Sequence, residues 1–594
     1  MPKKTRLTRF LIWKYKHISD RQFIYILSIV IGLLAGLGAV ALKNLTHFIQ
    51  KLLEGELIKN IHHVFYFIFP IIGLLFVFLT IKYIIRKKVG HGIPSTLYAI
   101  SKQKGIMPRH QMWASLLTAP LTVGFGGSVG LEGPTVATGA ALGSNFARLF
   151  HLNQTARTLL IGCAAAGAMS SIFKAPIAAI IFAVEIFSLE LTIVSMIPLL
   201  LASISAVLTS YFFLGDYVLL HFQIQDKFEL NDVVFYILLG ISSAMASIYF
   251  SKVYFAVDTF FKRFKSPYKR LLIGGSIIGV IVFFIPPLFG EGFETINNVL
   301  RGNIAEVTTN NIFNIVSDNI WIIISLLLGL VIFKVIAMSF TFGAGGVGGV
   351  FAPTLFTGSI SGYVLAMIIN YSNVFSHQLS LTNFAMVGMA GLMAGVLQAP
   401  LTAIFLIAEI TGGYELFIPL MIVASISFLI TKHYIPHNIY VSELAKRGEL
   451  ITHDKDKNVL MSLNIDKVIE TNFISLYPEM TLGEVVNNAV AKSSRNHFPV
   501  VNEDNEFLGI LTLNDIRSIM FDKDLYDTVK VRSLMHSASD IIYYKKDSAE
   551  EILNKFKGSG AWNLVVIKDG KYYGFISKSR LLTAYRRQLI NFTK

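Results

Sequence analysis

Up to about residue 440, long apolar stretches alternate with short polar breaks. From Gln22 to Leu42 no residue is charged, and similar apolar runs lie at Phe65–Ile81, Leu271–Gly290 and Asn319–Phe333. Each is close to the roughly 20 residues that cross a bilayer as a helix, so the pattern predicts a multi-pass α-helical membrane protein. Past about Tyr440 the texture changes. Charges recur every few residues, and short alternating runs replace the long ones: Phe498–Val501 with Leu508–Leu513, and Asn563–Ile567 with Tyr573–Ile576. These read as strand pairs of a soluble α/β domain.

Both parts repeat internally. In the first half, Gly124-Phe-Gly-Gly-Ser-Val-Gly-Leu-Glu-Gly-Pro134 is followed by Lys174-Ala-Pro-Ile-Ala-Ala-Ile-Ile-Phe-Ala-Val-Glu185; in the second, Gly343-Ala-Gly-Gly-Val-Gly-Gly-Val-Phe-Ala-Pro353 is followed by Gln398-Ala-Pro-Leu-Thr-Ala-Ile-Phe-Leu-Ile-Ala-Glu409. The offset between copies is 219 to 224 residues, so each half, about 22–213 and 231–447, supplies one glycine-rich turn and one Ala-Pro helix to a shared centre. Broken hydrophobic segments at matching places of two halves mark a transporter's binding site. The soluble tail repeats at a shorter period. Thr481-Leu-Gly-Glu484 and Ser548-Ala-Glu-Glu551 each read as a capping box opening a helix ahead of a strand pair. The expected organisation is an N-terminal segment over 1–21, a membrane domain over 22–447, a linker over 448–464 and two modules over 465–524 and 525–590.

Irregular backbone within lipid is tolerated only where protein buries it or where it lines a wet cavity. Each glycine-rich break ends in a proline suited to the first turn of the next helix, Pro134 and Pro353, and Gly90-His-Gly-Ile-Pro94 is a third of the same form. A helix N-terminus carries about half a positive charge and several unpaired N–H donors. Three such ends inside a membrane point to a site for a small anion, bound by dipoles weakly enough to be released. Glu132 stands in the first turn of one of them. An ionisable residue within a membrane is a functional-site hypothesis by default, and this carboxylate is placed to substitute for the anion and block its path. Protonation or displacement would then open it.

The chain has 594 residues, 53% of them hydrophobic and only 15% charged, which excludes a disordered or nucleic-acid-coating protein. Of its net charge of +15, seven basic residues precede the first apolar run with only Asp20 opposing them. That asymmetry predicts a cytoplasmic N-terminus. The run that follows is too long for a cleavable signal, so the N-terminus is expected to be retained. Cys163 is the only cysteine and lies in an apolar stretch, which excludes an intrachain disulfide or a cysteine metal cluster.

Taken together, these motifs resemble the CLC family of chloride channels and proton-coupled anion exchangers, from about residue 22 to the end. Gly90-His-Gly-Ile-Pro94 is similar to the family's GSGIP, Gly130-Leu-Glu-Gly-Pro134 to its G-R/K-E-G-P, and Gly349-Val-Phe-Ala-Pro353 to its G-x-F-x-P; Gly290-Glu-Gly-Phe-Glu-Thr-Ile-Asn-Asn298 is a further matching stretch. The resemblance implies two inverted helical repeats, a homodimer in the cell membrane with a pore in each subunit, cytoplasmic termini and a C-terminal pair of CBS modules. It implies Glu132 as the gating glutamate, with chloride or a related anion held by residues at His91, Gly92, Ile93, Leu131, Gly133, Val350, Phe351 and Tyr440. No cofactor is required, and an adenine nucleotide is a possible partner of the CBS pair. There Gly509-Ile-Leu-Thr-Leu-Asn-Asp515 offers Thr512 to phosphate and Asp515 to ribose, while the second copy carries Lys578 and Arg580.

Three positions depart from the family pattern. His91 replaces the serine that helps choose between anions, Leu131 replaces a basic residue, and Ile186 stands at the internal proton-transfer glutamate. An isoleucine carries no proton, and Glu185 points elsewhere on the helix because successive residues turn by about 100°. A gated, passive channel is therefore expected, with a proton-coupled antiporter as the alternative. His91 is a second candidate for pH sensing.

Two shorter motif matches are set aside. Gly126-Gly-Ser-Val-Gly130 satisfies an esterase pattern without its strand-to-helix turn, and Gly343-Ala-Gly-Gly-Val-Gly348 a dinucleotide pattern without a preceding strand. A membrane hydrolase would also need catalytic partners that are missing here. A CBS-regulated divalent-cation transporter would need carboxylates clustered along the membrane path, where only isolated charges such as Glu409 and Lys334 occur.

Overall fold

A computed structural model describes residues 6–53, 62–87, 89–90, 92–190, 192–215, 220, 228–309, 319–372, 378–411, 414–446, 460, 463 and 465–593. The chain divides into two units, 1–450 and 451–594. In the first, nine helices among the described residues are long and apolar enough to cross a membrane, beginning with Asp20–Leu53. Shorter apolar helices, Pro176–Phe187, Leu381–Leu397 and Pro400–Ile410, lie among them.

Helix ends follow local chemistry. Asn153 accepts the Ala156 amide at 2.8 Å and Asn319 that of Trp321 at 3.0 Å, each satisfying a donor left open in the first turn. The apolar run Leu271–Gly290, expected as one span, is broken. Its helix runs Pro267–Phe284, and Pro286–Leu288 form a separate 3-10 turn. Pro286 and Pro287 have no amide hydrogen to continue the ladder, and Ile285 before them is forced out of the helical region at φ −132° and ψ 74°.

The two halves repeat in space. Asp20–Leu53 packs against Gln154–Phe173 and Ile193–Leu214, as Val233–Lys262 packs against Leu381–Leu397 and Phe417–Tyr434. The helix after each glycine-rich turn, Glu132–Leu149 or Phe351–Ser372, lies against the next one through small residues that let the backbones approach. A Cβ at Gly139 would stand 2.7 Å from the Ala164 carbonyl oxygen, and one at the equivalent Gly358 would stand 2.6 Å from that of Gly388. One turn on, Gly143 faces the Leu160 carbonyl and Gly362 that of Phe384, both closer still.

Gly362→Val should therefore cost about 3 kcal/mol or more, because the obstacle is backbone, and should abolish the monodisperse peak in detergent size-exclusion chromatography. Gly329→Val, with nothing within 4 Å of its added Cβ, should leave that peak unchanged.

The second unit contains both expected capping boxes, Thr481 with Glu484 and Ser548 with Glu551. His497–Val501 pairs antiparallel with Phe507–Thr512 in one sheet. In the other, Asn563–Lys568 lies between a parallel Ile541–Tyr543 and an antiparallel Lys571–Ser577. Each module has its own apolar core, one around Leu482, Phe498 and Leu511, the other around Ile552, Phe556 and Val566. The modules also lend each other chain. Val468 and Ile469 enter the second core, Val531 the first, and Glu470 exchanges backbone hydrogen bonds with Phe575.

Candidate anion site

The centre of the membrane unit is built from bonds that occur twice, once for each direction between the halves. Gly130 and Gly349, 219 residues apart, exchange both backbone hydrogen bonds, at 2.9 and 2.7 Å, in an antiparallel bridge. Equivalent segments that pair antiparallel are related by a local two-fold axis, as inverted repeats are. Thr122 accepts the Val347 amide at 3.0 Å, and its counterpart Thr341 accepts the Ser128 amide at 3.3 Å. The Ala-Pro helices are capped the same way. Glu185 accepts the amides of Leu401 and Thr402 at 3.2 and 2.8 Å, and Glu409 accepts those of Ile177 and Ala178 at 3.2 and 2.9 Å.

These caps give Glu185 and Glu409 structural work. Each neutralises the positive end of the opposing helix, and Glu185 also accepts the Thr402 hydroxyl at 2.6 Å. Ile186 beside Glu185 is buried, on a helix whose Phe182 packs edge-on against Phe351 with ring centroids 6.4 Å apart. Ser128, the serine of the esterase-like match, donates its hydroxyl to the Leu288 carbonyl at 2.8 Å.

The Gly130–Gly349 bridge draws the helix starts together. A Cβ at Gly133 would lie 3.1 Å from the Gly349 Cα, and one at Gly349 would lie 2.8 Å from the Gly133 nitrogen. Gly92, N-cap of Ile93–Lys102 at φ 67°, faces Gly133 in turn, at 3.1 Å from its carbonyl carbon to an added Cβ. Gly92, Ile93, Leu131, Gly133, Val350 and Phe351 thus belong to three helix starts, of which the one at Gly133 touches the other two. The first amides of these helices have no acceptor within their own helix, and they supply positive potential without a cation. His91 lies outside the described residues.

Glu132 is 1% exposed, and neither carboxylate oxygen has a hydrogen-bond partner among the described residues. Its own amide and that of Ala352 act on it electrostatically without closing to bonding geometry. Tyr440 is 5% exposed, its hydroxyl has no hydrogen-bond partner among the described residues, and it is within electrostatic reach of Glu132. Asn438 fixes it by accepting the Tyr440 and Val441 amides at 3.0 and 3.1 Å, while donating to the Leu397 carbonyl at 2.6 Å. Two polar groups left open inside a membrane domain, beside three helix starts, are what a site for an exchangeable ion requires, since a buried polar group is otherwise paired.

Sequence reasoning passed over Glu291. Its Oε1 accepts the Leu131 amide at 2.9 Å, next to Glu132, from 160 residues away. Lys334, fully buried, donates to the Gly290 carbonyl at 2.9 Å and lies 4.8 Å from the Phe356 ring centroid. The signals for Glu291 were its charge at the end of the apolar run Leu271–Gly290 and its place in the family-like stretch Gly290–Asn298, neither of which gave it a role.

In the second unit, Asp515 accepts the Thr512 amide and hydroxyl, both at 2.7 Å, and lies 3.3 Å from His536. Burial holds the nearby His497 imidazole below its usual range, against the opposing pull of Asp515. Arg580 pairs with Glu470 at 2.9 Å, where Arg495 also pairs at 2.7 Å, and Lys578 lies 5.7 Å from the Trp562 ring centroid.

Inverted membrane repeats whose helix starts converge on a buried carboxylate define a transporter of small anions. The chain belongs to the CLC family: residues 72–432 match the family described as voltage gated chloride channel, and residues 465–522 match the CBS domain. The H(+)/Cl(-) exchange transporter ClcA of Vibrio cholerae serotype O1 is 26% identical over 412 residues, 67% of this chain and 83% of that one. Among solved structures, a slow cyanobacterial Cl-/H+ antiporter aligns with a TM-score of 0.61 at 23% identity, covering 72% of this chain and 98% of its own. A eukaryotic CLC transporter aligns with a TM-score of 0.59 at 17% identity, over 94% and 97%. The relative's name favours the coupled alternative over the passive channel expected from Ile186.

Proposed function

We propose that this protein exchanges chloride or a similar small anion for protons, with Glu132 as the gate and proton acceptor. The observation that carries this reading is the Glu132 carboxylate, buried and without a hydrogen bond among the described residues, where three helix starts meet. An ionised carboxylate there uses the same positive potential as a permeating anion and excludes it. A proton removes that competition and frees the amides of Gly133, Val350 and Phe351 and the Tyr440 hydroxyl for the anion. Each opening then takes up one proton, which is the basis of exchange. The exchanging relative supports the coupled reading.

A second reading, a passive valve, is favoured by Ile186 alone. With a buried isoleucine there, a proton crossing the inner half of the path has to travel on water.

Liposomes containing the purified protein decide between the two. With a chloride gradient imposed and external pH recorded, exchange predicts proton movement against its gradient, abolished by a protonophore. Chloride flux without uphill proton movement would instead establish the valve. The proposal further places both termini in the cytoplasm and two copies in a dimer, each with its own path. It gives the CBS pair a regulatory role, with Thr512 and Asp515 toward an adenine nucleotide; Arg580 is committed to Glu470.

A further inference from the structure

Glu291 joins an open cleft to the gate segment through a single side chain. It lines a cleft of about 900 Å3 together with Lys43, His47, Leu131 and Glu294. On its inner side it holds the amide of Leu131, the residue before the gate. The charged groups around it come from several elements. Lys43, on Asp20–Leu53, and Lys334, on Ile320–Gly343, both act on Glu291, and Lys334 also acts on Glu132. Lys174 acts on Lys43, and His47, Tyr66, Glu294 and Glu306 border the cleft.

Among these, Glu132 and Glu291 with Lys43 and Lys334 make two carboxylates and two cations in a water-poor setting, where charges are felt strongly. Removing the Glu291 charge takes away a negative neighbour that opposes ionisation of Glu132. Its loss favours the ionised, closed gate.

We propose that Glu291 is a positioning residue that sets the pH at which the gate opens, by holding the Leu131 turn through its hydrogen bond and opposing the charge of Glu132 through its own. The proposal rests on the reading of Glu132 as the gate. A glutamine separates the two contributions, since its amide oxygen still accepts the Leu131 N–H while the charge is gone.

The test is chloride efflux from liposomes across pH for the wild type, E291Q, E291A, E132Q and the E132Q/E291Q pair. E291Q should keep its flux in acid while its midpoint moves toward acid by roughly one pH unit. Within E132Q it should change nothing. Lys43→Gln, which removes a cation that favours ionised Glu291, should move the midpoint toward acid as well and keeps the proposal testable if E291Q does not reconstitute.

An unmoved midpoint in E291Q, or in Lys43→Gln where E291Q does not reconstitute, would overturn the inference. So would a loss of flux in E291Q equal to that of E291A at every pH, which would mean a structural role alone. If E132Q is itself still pH dependent, the gate reading beneath has failed. If E132Q is flat and E291Q unmoved, only this inference has failed.

Discussion

Glu132→Gln should carry chloride at nearly the same rate from about pH 5 to about pH 8, where the wild type slows by up to about tenfold per pH unit above its midpoint, the limit for a single-proton gate. It should also move no protons uphill. A glutamine keeps the size of the side chain and stays neutral, so the competitor for the helix starts is permanently removed. Because neither Glu132 oxygen is held by a hydrogen bond among the described residues, the substitution breaks no hydrogen bond of the carboxylate seen there. The change should be confined to rate and coupling, with the melting temperature in detergent within about 2 °C of the wild type. Chloride efflux and pH recording on the same vesicles check both halves of the expectation.

Gly349→Ala should have the opposite outcome. An added Cβ stands 2.8 Å from the Gly133 nitrogen and 3.3 Å from the Gly133 Cα. The obstacle is backbone, so the two turns must part and the reciprocal Gly130–Gly349 hydrogen bonds weaken or break. Helix starts that no longer converge lose their summed potential, and a displacement of about 1 Å at such a site is worth about a hundredfold in rate. Flux should fall at least about tenfold at every pH, and combining the variant with E132Q should not restore it. Gly38→Ala, whose Cβ would meet Thr138 at an ordinary 3.7 Å, should behave as wild type in the same assay.

How far this site could be read in the sequence depended on whether its contacts are local. The glycine-rich turns were legible because their helix starts are encoded within a few residues, by glycine followed four positions later by proline, with an ionisable side chain between them at Glu132. Their meeting was legible only through the repeat, since Gly130 and Gly349 are brought together by the symmetry of the fold. The work of Glu185 and Glu409 was also written in that repeat. Both end an Ala-Pro helix, and each caps the start of the other's helix more than 200 residues away.

Glu291 had no such trace. It follows an apolar run that two prolines break, and its partner Leu131 is distant in sequence and matched by no repeat. Lys334 was visible as a buried charge, but its acceptor, the Gly290 carbonyl, belongs to that same irregular turn. The strand pairs and capping boxes of the tail were legible because period and cap are local signals. The exchange of Val468 and Val531 between the two cores was not, because a hydrophobic residue does not name its partner.

The central claim is that the anion and the Glu132 carboxylate compete for the amides where the three helix starts meet. Crystals of the wild type and of E132Q grown in bromide, with anomalous difference maps, test it most directly. The account predicts a bromide ion within hydrogen-bonding distance of the Val350 and Phe351 amides in both, and in E132Q an additional or stronger peak where the wild-type carboxylate lies. Bromide found instead only beside Lys43 or Lys334, with the helix starts empty in E132Q, would contradict it.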